Sequence, residues 1–140
     1  MLRLEDLLRV GDPSVHFTSP AEIAPLQNPE VFRGALRELD GRAIADESAL
    51  LASLGKALDF PDYYGENWDA FEECLRDIGE FRPEGCVLVL RHARGLWNHL
   101  PRALGLLVAI WLATVELLIP DGVPLHLVFV LDDAKTALPE

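Results

Sequence analysis

Hydrophobic and polar positions change rhythm several times along the chain, and each change marks an element. Ala35-Leu36-Arg37-Glu38-Leu39 alternates well enough for a strand, and Asp40-Gly41 ends it in a turn. Leu50, Leu51, Leu54, Ala57 and Leu58 then recur at helical spacing, with Asp46 or Ser48 as the cap. Phe60-Pro61-Asp62-Tyr63-Tyr64-Gly65 interrupts the pattern as a loop, and Asn67 caps a second helix predicted over 68–78. Cys86-Val87-Leu88-Val89-Leu90 is an unbroken apolar run, the mark of a strand buried on both faces. Residues 91–100 read as a connector with a short helix, and 102–118 as a long apolar helix broken by Asp121-Gly122. Residues 125–131 read as a third strand.

Strand, two helices, strand, one or two helices, strand is an α/β order. It predicts a small three-stranded parallel sheet packed with helices and joined by right-handed crossovers. Residues 31–140 form this predicted domain, and 1–30 read as an N-terminal extension. Within the extension, Leu2, Leu4, Leu7 and Leu8 suit a turn or two of amphipathic helix, and Val15–Thr18 suits an edge strand. Pro20, Pro25 and Pro29 keep the remainder irregular. No repeat and no second domain is evident.

The stretch from Ala103 to Ile119 is apolar except for Thr114 and Glu116. A bilayer span needs roughly 20 apolar residues. This run is shorter, is bounded by Pro101 and Pro120, and carries a carboxylate. A buried core helix is therefore expected, with no membrane partner. If part of its surface stayed exposed, self-association would follow, so the expected state is monomer or weak dimer.

Charge narrows the partner. The 140 residues carry a formal net charge of −11 and only two lysines, Lys56 and Lys135. Neutralising phosphates needs clustered Lys and Arg, so nucleic acid is not expected as a partner. An acidic surface suits a basic protein. Cys74 and Cys86 have neither CxxC spacing nor a disulfide framework. Acids at Glu5 and Asp6 make a poor signal peptide, so the expected location is the cytoplasm.

The second helix concentrates the candidate chemistry. At about 100° per residue, Trp68, Phe71, Leu75 and Ile78 share one face, and Asp69, Glu72, Glu73, Arg76 and Asp77 share the other. Asp69 and Glu73 stand four apart and point the same way, a like-charge pair that costs a few tenths of a kcal/mol in isolation. Asp69 gains something back from the helix dipole, and Glu73, in mid-helix, does not. Tyr63 and Tyr64 precede the cap; tyrosines anchor interfaces, and one inward with one outward fits the pattern. Gly65 is expected to supply a backbone conformation, or a close approach, that a side chain would block.

The run Pro61-Asp62-Tyr63-Tyr64-Gly65-Glu66-Asn67-Trp68-Asp69-Ala70 resembles the signature of the barstar family, intracellular protein inhibitors of ribonucleases. The likeness spans about 31–131 and is strongest over 60–78. It implies a three-stranded parallel sheet with packed helices, and an inhibitory loop and helix that plug a basic nuclease site. Under that resemblance Tyr63, Gly65, Asn67 and Asp69 match directly. Trp68 fills a contact position with a larger side chain than the founding member has. Glu73 falls where that inhibitor carries its dominant aspartate. Glu72 stands where the family has an aromatic contact, and Arg76 where it has a small polar one. Glu116, on the long helix, is the implied further acid.

Two other readings use the same residues. A basic protein other than a nuclease could be bound by an adaptor domain of this fold. Asp69 and Glu73 could also serve as paired acids of a hydrolase, but no pocket is evident around them. His16, His92, His99 and His126 are scattered, and no metal-ligand spacing, P-loop, GxGxxG or GxSxG is present. No catalytic residue, metal or cofactor is expected.

Overall fold

The computed structural model describes residues 1–32 and 35–132. Part of the predicted 31–140 domain, namely 33, 34 and 133–140, lies outside the described residues. Three strands and four helices follow the expected order: β2 (Leu36–Asp40), α4 (Glu47–Ala57), α5 (Trp68–Phe81), β3 (Cys86–Arg91), α6 (Ala93–His99), α7 (Pro101–Leu118) and β4 (Leu125–Val130). One further strand and three short α-helices precede them: α1 (Leu4–Leu8), β1 (Val15–Thr18), α2 (Pro20–Ile23) and α3 (Pro29–Phe32), with a 3-10 turn at Ala24–Leu26.

The sheet has four parallel strands in the order β1-β4-β3-β2, not three. The added strand is β1, which pairs with β4 from Val15 opposite Leu127 to Thr18 opposite Val130. In a three-stranded sheet β4 would present an edge of unpaired backbone groups along an apolar strand, a template for aggregation. β1 covers it. Val15–Thr18, expected as an edge strand of the extension, takes that place; what four residues set among prolines do not show is that this strand joins the sheet of the domain.

Alternate residues of the central strands feed two cores. Leu88, Leu90, Leu125, Leu127 and Phe129 point towards α4, α5, α6 and α7, which fill the two crossovers. Val87, Val89, Val128 and Val130 point the other way and are capped by Leu7, Ile23, Phe32 and Ala35. Every residue from Cys86 to Leu90 and from Leu125 to Val130 is buried, which accounts for runs that are apolar throughout except at His126. The first 32 residues thus serve as the cover of the second face.

One buried polar contact fastens that cover. His126 is fully buried on β4, and its Nε2 donates to the Arg9 carbonyl at 2.7 Å. That bond leaves Nδ1 bare, so it accepts from His16 Nε2 at 2.9 Å. Both rings are held neutral: burial pushes His126 down, and burial followed by the His126 charge pushes His16 down to about 4.

Helix α7 is long and apolar enough to cross a membrane by length and composition alone. Leu104, Leu107, Trp111 and Val115 are instead buried against the sheet. Trp111 donates its Nε1 hydrogen to Leu125 O at 3.4 Å, and Thr114 returns its hydroxyl to Ile110 O at 2.8 Å.

Candidate functional site

The candidate surface begins where α4 ends. Asp46 is the α4 cap, accepting from Ala49 N at 2.8 Å. Past the end of α4, Asp59 turns the chain at φ +54°. Its carboxylate accepts from Arg82 and from Arg37, each at 2.8 Å. The bond from Arg82, and then that from Arg37, holds the Asp59 carboxyl below the usual range. This clamp ties the base of the loop to the end of α5 and to β2.

Inside the loop, Phe60 N donates to Gly55 O and Tyr64 N to Pro61 O, both at 2.9 Å. Tyr64 turns inward: its hydroxyl donates to Leu51 O at 2.9 Å, and its ring meets Phe60 edge-on at 5.1 Å. Burial pushes its phenol pKa up. Tyr63 turns outward and is 73% exposed. The two tyrosines therefore divide the work, one fixing the loop and one facing solvent.

Gly65 provides a close approach rather than an unusual backbone, since a Cβ there would lie 3.2 Å from Asn67 Nδ2. The left-handed residue is its neighbour Glu66, at φ +54°. A non-glycine residue in that region carries strain of about 1–2 kcal/mol, which the surrounding bonds sustain. Asn67 is the N-cap, with Oδ1 accepting from Ala70 N at 2.8 Å. Such a cap is worth about 1 kcal/mol.

Helix α5 buries Phe71, Cys74, Leu75 and Ile78. Fully burying side chains of this size contributes about 1.5–3 kcal/mol each, enough to hold a helix that gathers like charges outside. Trp68, expected at the margin of the surface, is half buried. Its Nε1 donates to Glu47 Oε2 at 2.6 Å and its ring meets Phe71 edge-on at 5.7 Å. Glu47, 21 residues earlier, carries no local sign of this role. Glu72 is half buried, while Asp69, Glu73 and Arg76 are exposed. The side chains of Asp62, Glu66, Asp69, Glu73, Asp77 and Glu80 make no hydrogen bond or ion pair among the described residues.

Loop and helix thus bring Tyr63, Gly65, Asn67, Trp68, Asp69, Glu72, Glu73 and Arg76 onto one continuous segment. Glu116 is exposed on another element, near the end of α7. A Cβ at Gly79 would sit 3.4 Å from Leu118, so the last turns of α5 and α7 meet. Asp69 lies ten residues back from that meeting point, about 15 Å along the helix axis. No bond joins Glu116 to the α5 acids among the described residues.

Beside the surface, a groove of about 450 Å³ runs between the loop and the second half of α5, flanked by Tyr63 and by Phe81, itself 73% exposed. A larger cleft of about 720 Å³ lies at the carboxyl ends of β1, β3 and β4, lined by Phe17, Glu22, His92, Arg94 and Asp132. Asp69 and Glu73 line neither. His92 Nδ1 is 2.9 Å from Asp132 Oδ2, and His99 Nε2 is 2.9 Å from Ala45 O.

The family model described as Barstar (barnase inhibitor) matches residues 34–130, which include this surface and three of the four strands. The chain belongs to the barstar family. That is a family of inhibitors rather than enzymes, and its members act on a protein partner. No curated protein matches the chain. Most of the N-terminal cover and β1 fall before the barstar match.

Proposed function

We propose that this protein is an intracellular inhibitor that plugs the active site of a basic ribonuclease with the Tyr63–Arg76 surface. The observation that carries the reading is the state of Asp69 and Glu73. Both are exposed, both lack an ion-pair partner among the described residues, and they stand four residues apart on a helix whose opposite face is locked into the core. Carboxylates held apart from cations inside their own fold are ready to take cations from another.

A ribonuclease site holds arginine, lysine and histidine groups set for phosphate. Asp69 and Glu73 occupy the positions of phosphate oxygens, while Tyr63 and the exposed edge of Trp68 exclude water around them. Asn67 and Gly65 act by presentation: the cap and the close approach set the angle at which α5 meets the partner. Glu72 and Arg76 depart from the family pattern and point to a nuclease different from the founding member's. Glu116 touches only a partner that reaches across from α5 to α7. No cofactor and no catalytic residue takes part.

The test is competitive inhibition of RNA cleavage by a basic ribonuclease captured with the full chain. Asp69→Ala and Glu73→Ala should each raise the off-rate by tenfold or more and release the activity in parallel. Capture of a basic protein without nuclease activity, through the same two residues, would replace the inhibitor reading with that of an adaptor.

A further inference from the structure

The outward face of α7 carries Arg102, Gly105, Leu106, Ala109, Leu112, Ala113, Glu116 and Leu117, all exposed. Leu106 is 44% exposed, Leu112 40% and Leu117 58%, and Ile119 beyond the helix is 46% exposed. A row of exposed leucines flanked by no polar residue over three turns is unusual for a surface helix. The only charges on the face stand at its two ends, Arg102 at the start and Glu116 at the finish. Neither makes an ion pair among the described residues.

These positions are symmetric about Ala109. Arg102 and Glu116 lie seven residues to either side, Gly105 and Ala113 four, Leu106 and Leu112 three. A two-fold axis beside Ala109 brings two such helices together antiparallel. At about 100° per residue, Leu106 then lies over Ala113 of the second copy, and Leu112 over Gly105 of the second copy. Large meets small on both sides, as close packing of two helices requires. A Cβ at Gly105 would meet nothing within 4 Å, so the space over it is open to an incoming leucine. The same operation sets Arg102 against Glu116 of the second copy, twice. A self-complementary surface of this kind is what a two-fold interface demands.

We infer that α7 is a homodimerisation surface, with two copies of the chain packed antiparallel about Ala109 and closed at both ends by Arg102–Glu116 pairs. The inference goes beyond the inhibitor reading and does not rest on it. One helix-on-helix contact falls at the small end of specific interfaces, below about 1,200 Å², so the dimer forms at micromolar rather than nanomolar protein.

Sedimentation of the full chain over a range of concentrations tests this. The native chain should pass from monomer to dimer. Arg102→Glu and Glu116→Arg should each weaken the dimer about tenfold or more, because each sets like charges opposite one another. An equimolar mixture of the two variants should restore it, since both ends are then paired again. In a parallel arrangement Arg102 would already meet Arg102 and Glu116 would meet Glu116 in the native chain, so a single reversal would not weaken it. Ala109→Cys, at an exposed position, should give a disulfide-linked dimer on oxidation, and Ala113→Cys should not. Unchanged thermal unfolding of each variant would show that the fold is intact.

A chain that stays monomeric at every concentration would overturn the inference. So would a dimer indifferent to both charge reversals, or one that the mixture fails to restore. Co-sedimentation of a monomeric chain with phosphatidylcholine vesicles, lost in Ala109→Arg, would assign the face to lipid instead.

Discussion

The ring of Tyr64 lies against Gly55, so close that a β-carbon on the glycine would fall 2.5 Å from the tyrosine's Cε2. The loop that carries Tyr63 is therefore seated on α4 through a residue that itself faces away from any partner. Gly55→Ala should lower stability by about 1–3 kcal/mol, by overpacking or by expelling the ring. It should also weaken binding of the proposed nuclease partner, although residue 55 touches nothing outside the fold. Urea denaturation gives the first effect and the off-rate gives the second. Tyr64→Phe, which keeps the ring and removes only the hydroxyl bonded to Leu51 O, should cost about 1 kcal/mol and leave binding nearly intact.

Association with a basic partner should depend steeply on salt. The exposed acids of α5 and its loop act together over a distance comparable to the Debye length, about 8–10 Å at physiological ionic strength. The on-rate should fall about tenfold or more between low and high salt, and removing both Asp69 and Glu73 should flatten that dependence. Stopped-flow mixing at a series of salt concentrations measures it.

Arg76 is the one cation on the exposed face of α5. Arg76→Thr should raise the on-rate for a cationic nuclease several-fold at low salt. A partner selected for this chain could instead carry an acid opposite Arg76. The same substitution would then slow association, and a charge-reversed partner would identify the contact.

The His16–His126 pair sets a pH limit on the fold. Both rings are depressed below their ordinary pKa, so the unfolded chain binds protons first as pH falls. Their contribution is complete above about pH 6.5 and is lost progressively down to the folded value, about 4 for His16. With His16 half exposed, the loss is on the order of 1–2 kcal/mol after discounting for solvent screening. Urea midpoints between pH 7 and pH 4 should show this slope, and His16→Asn should reduce it. Asp6, Arg9 and Asp12 also face the pair, and the two acids temper the effect.

What could be read from the sequence was what repeats locally. Helix α5 was expected over 68–78 and runs to Phe81, because Phe81 continues the helix after its buried face has ended at Ile78. The cap at Asn67, the outward acids and the buried strands all follow from spacing within a few residues. The misses depend on distant partners. Val15–Thr18 reads as an edge strand, but its place as the fourth strand of the sheet depends on β4 beside it, and Trp68 is tied down by Glu47 across a gap that no periodicity spans. Gly65 was expected to supply either a special backbone or a close approach; it supplies the close approach, and the left-handed residue is its neighbour Glu66. Glycine marks where such a conformation is easiest, not where the chain needs it.

The strand order has a bearing on the order of events in synthesis. β4 lies between β1 and β3, yet it is the last described strand to leave the ribosome. Its contact with β1 joins His16 to His126, 110 residues apart. A nascent chain can hold α4 and α5 against β2 and β3, but the N-terminal segment has no neighbour to pair with until β4 emerges. Closure over so long a gap is slow. For that interval the apolar edge of β3 and the underside of the sheet are open, and the fold that carries the α5 surface cannot close before β4 has been made.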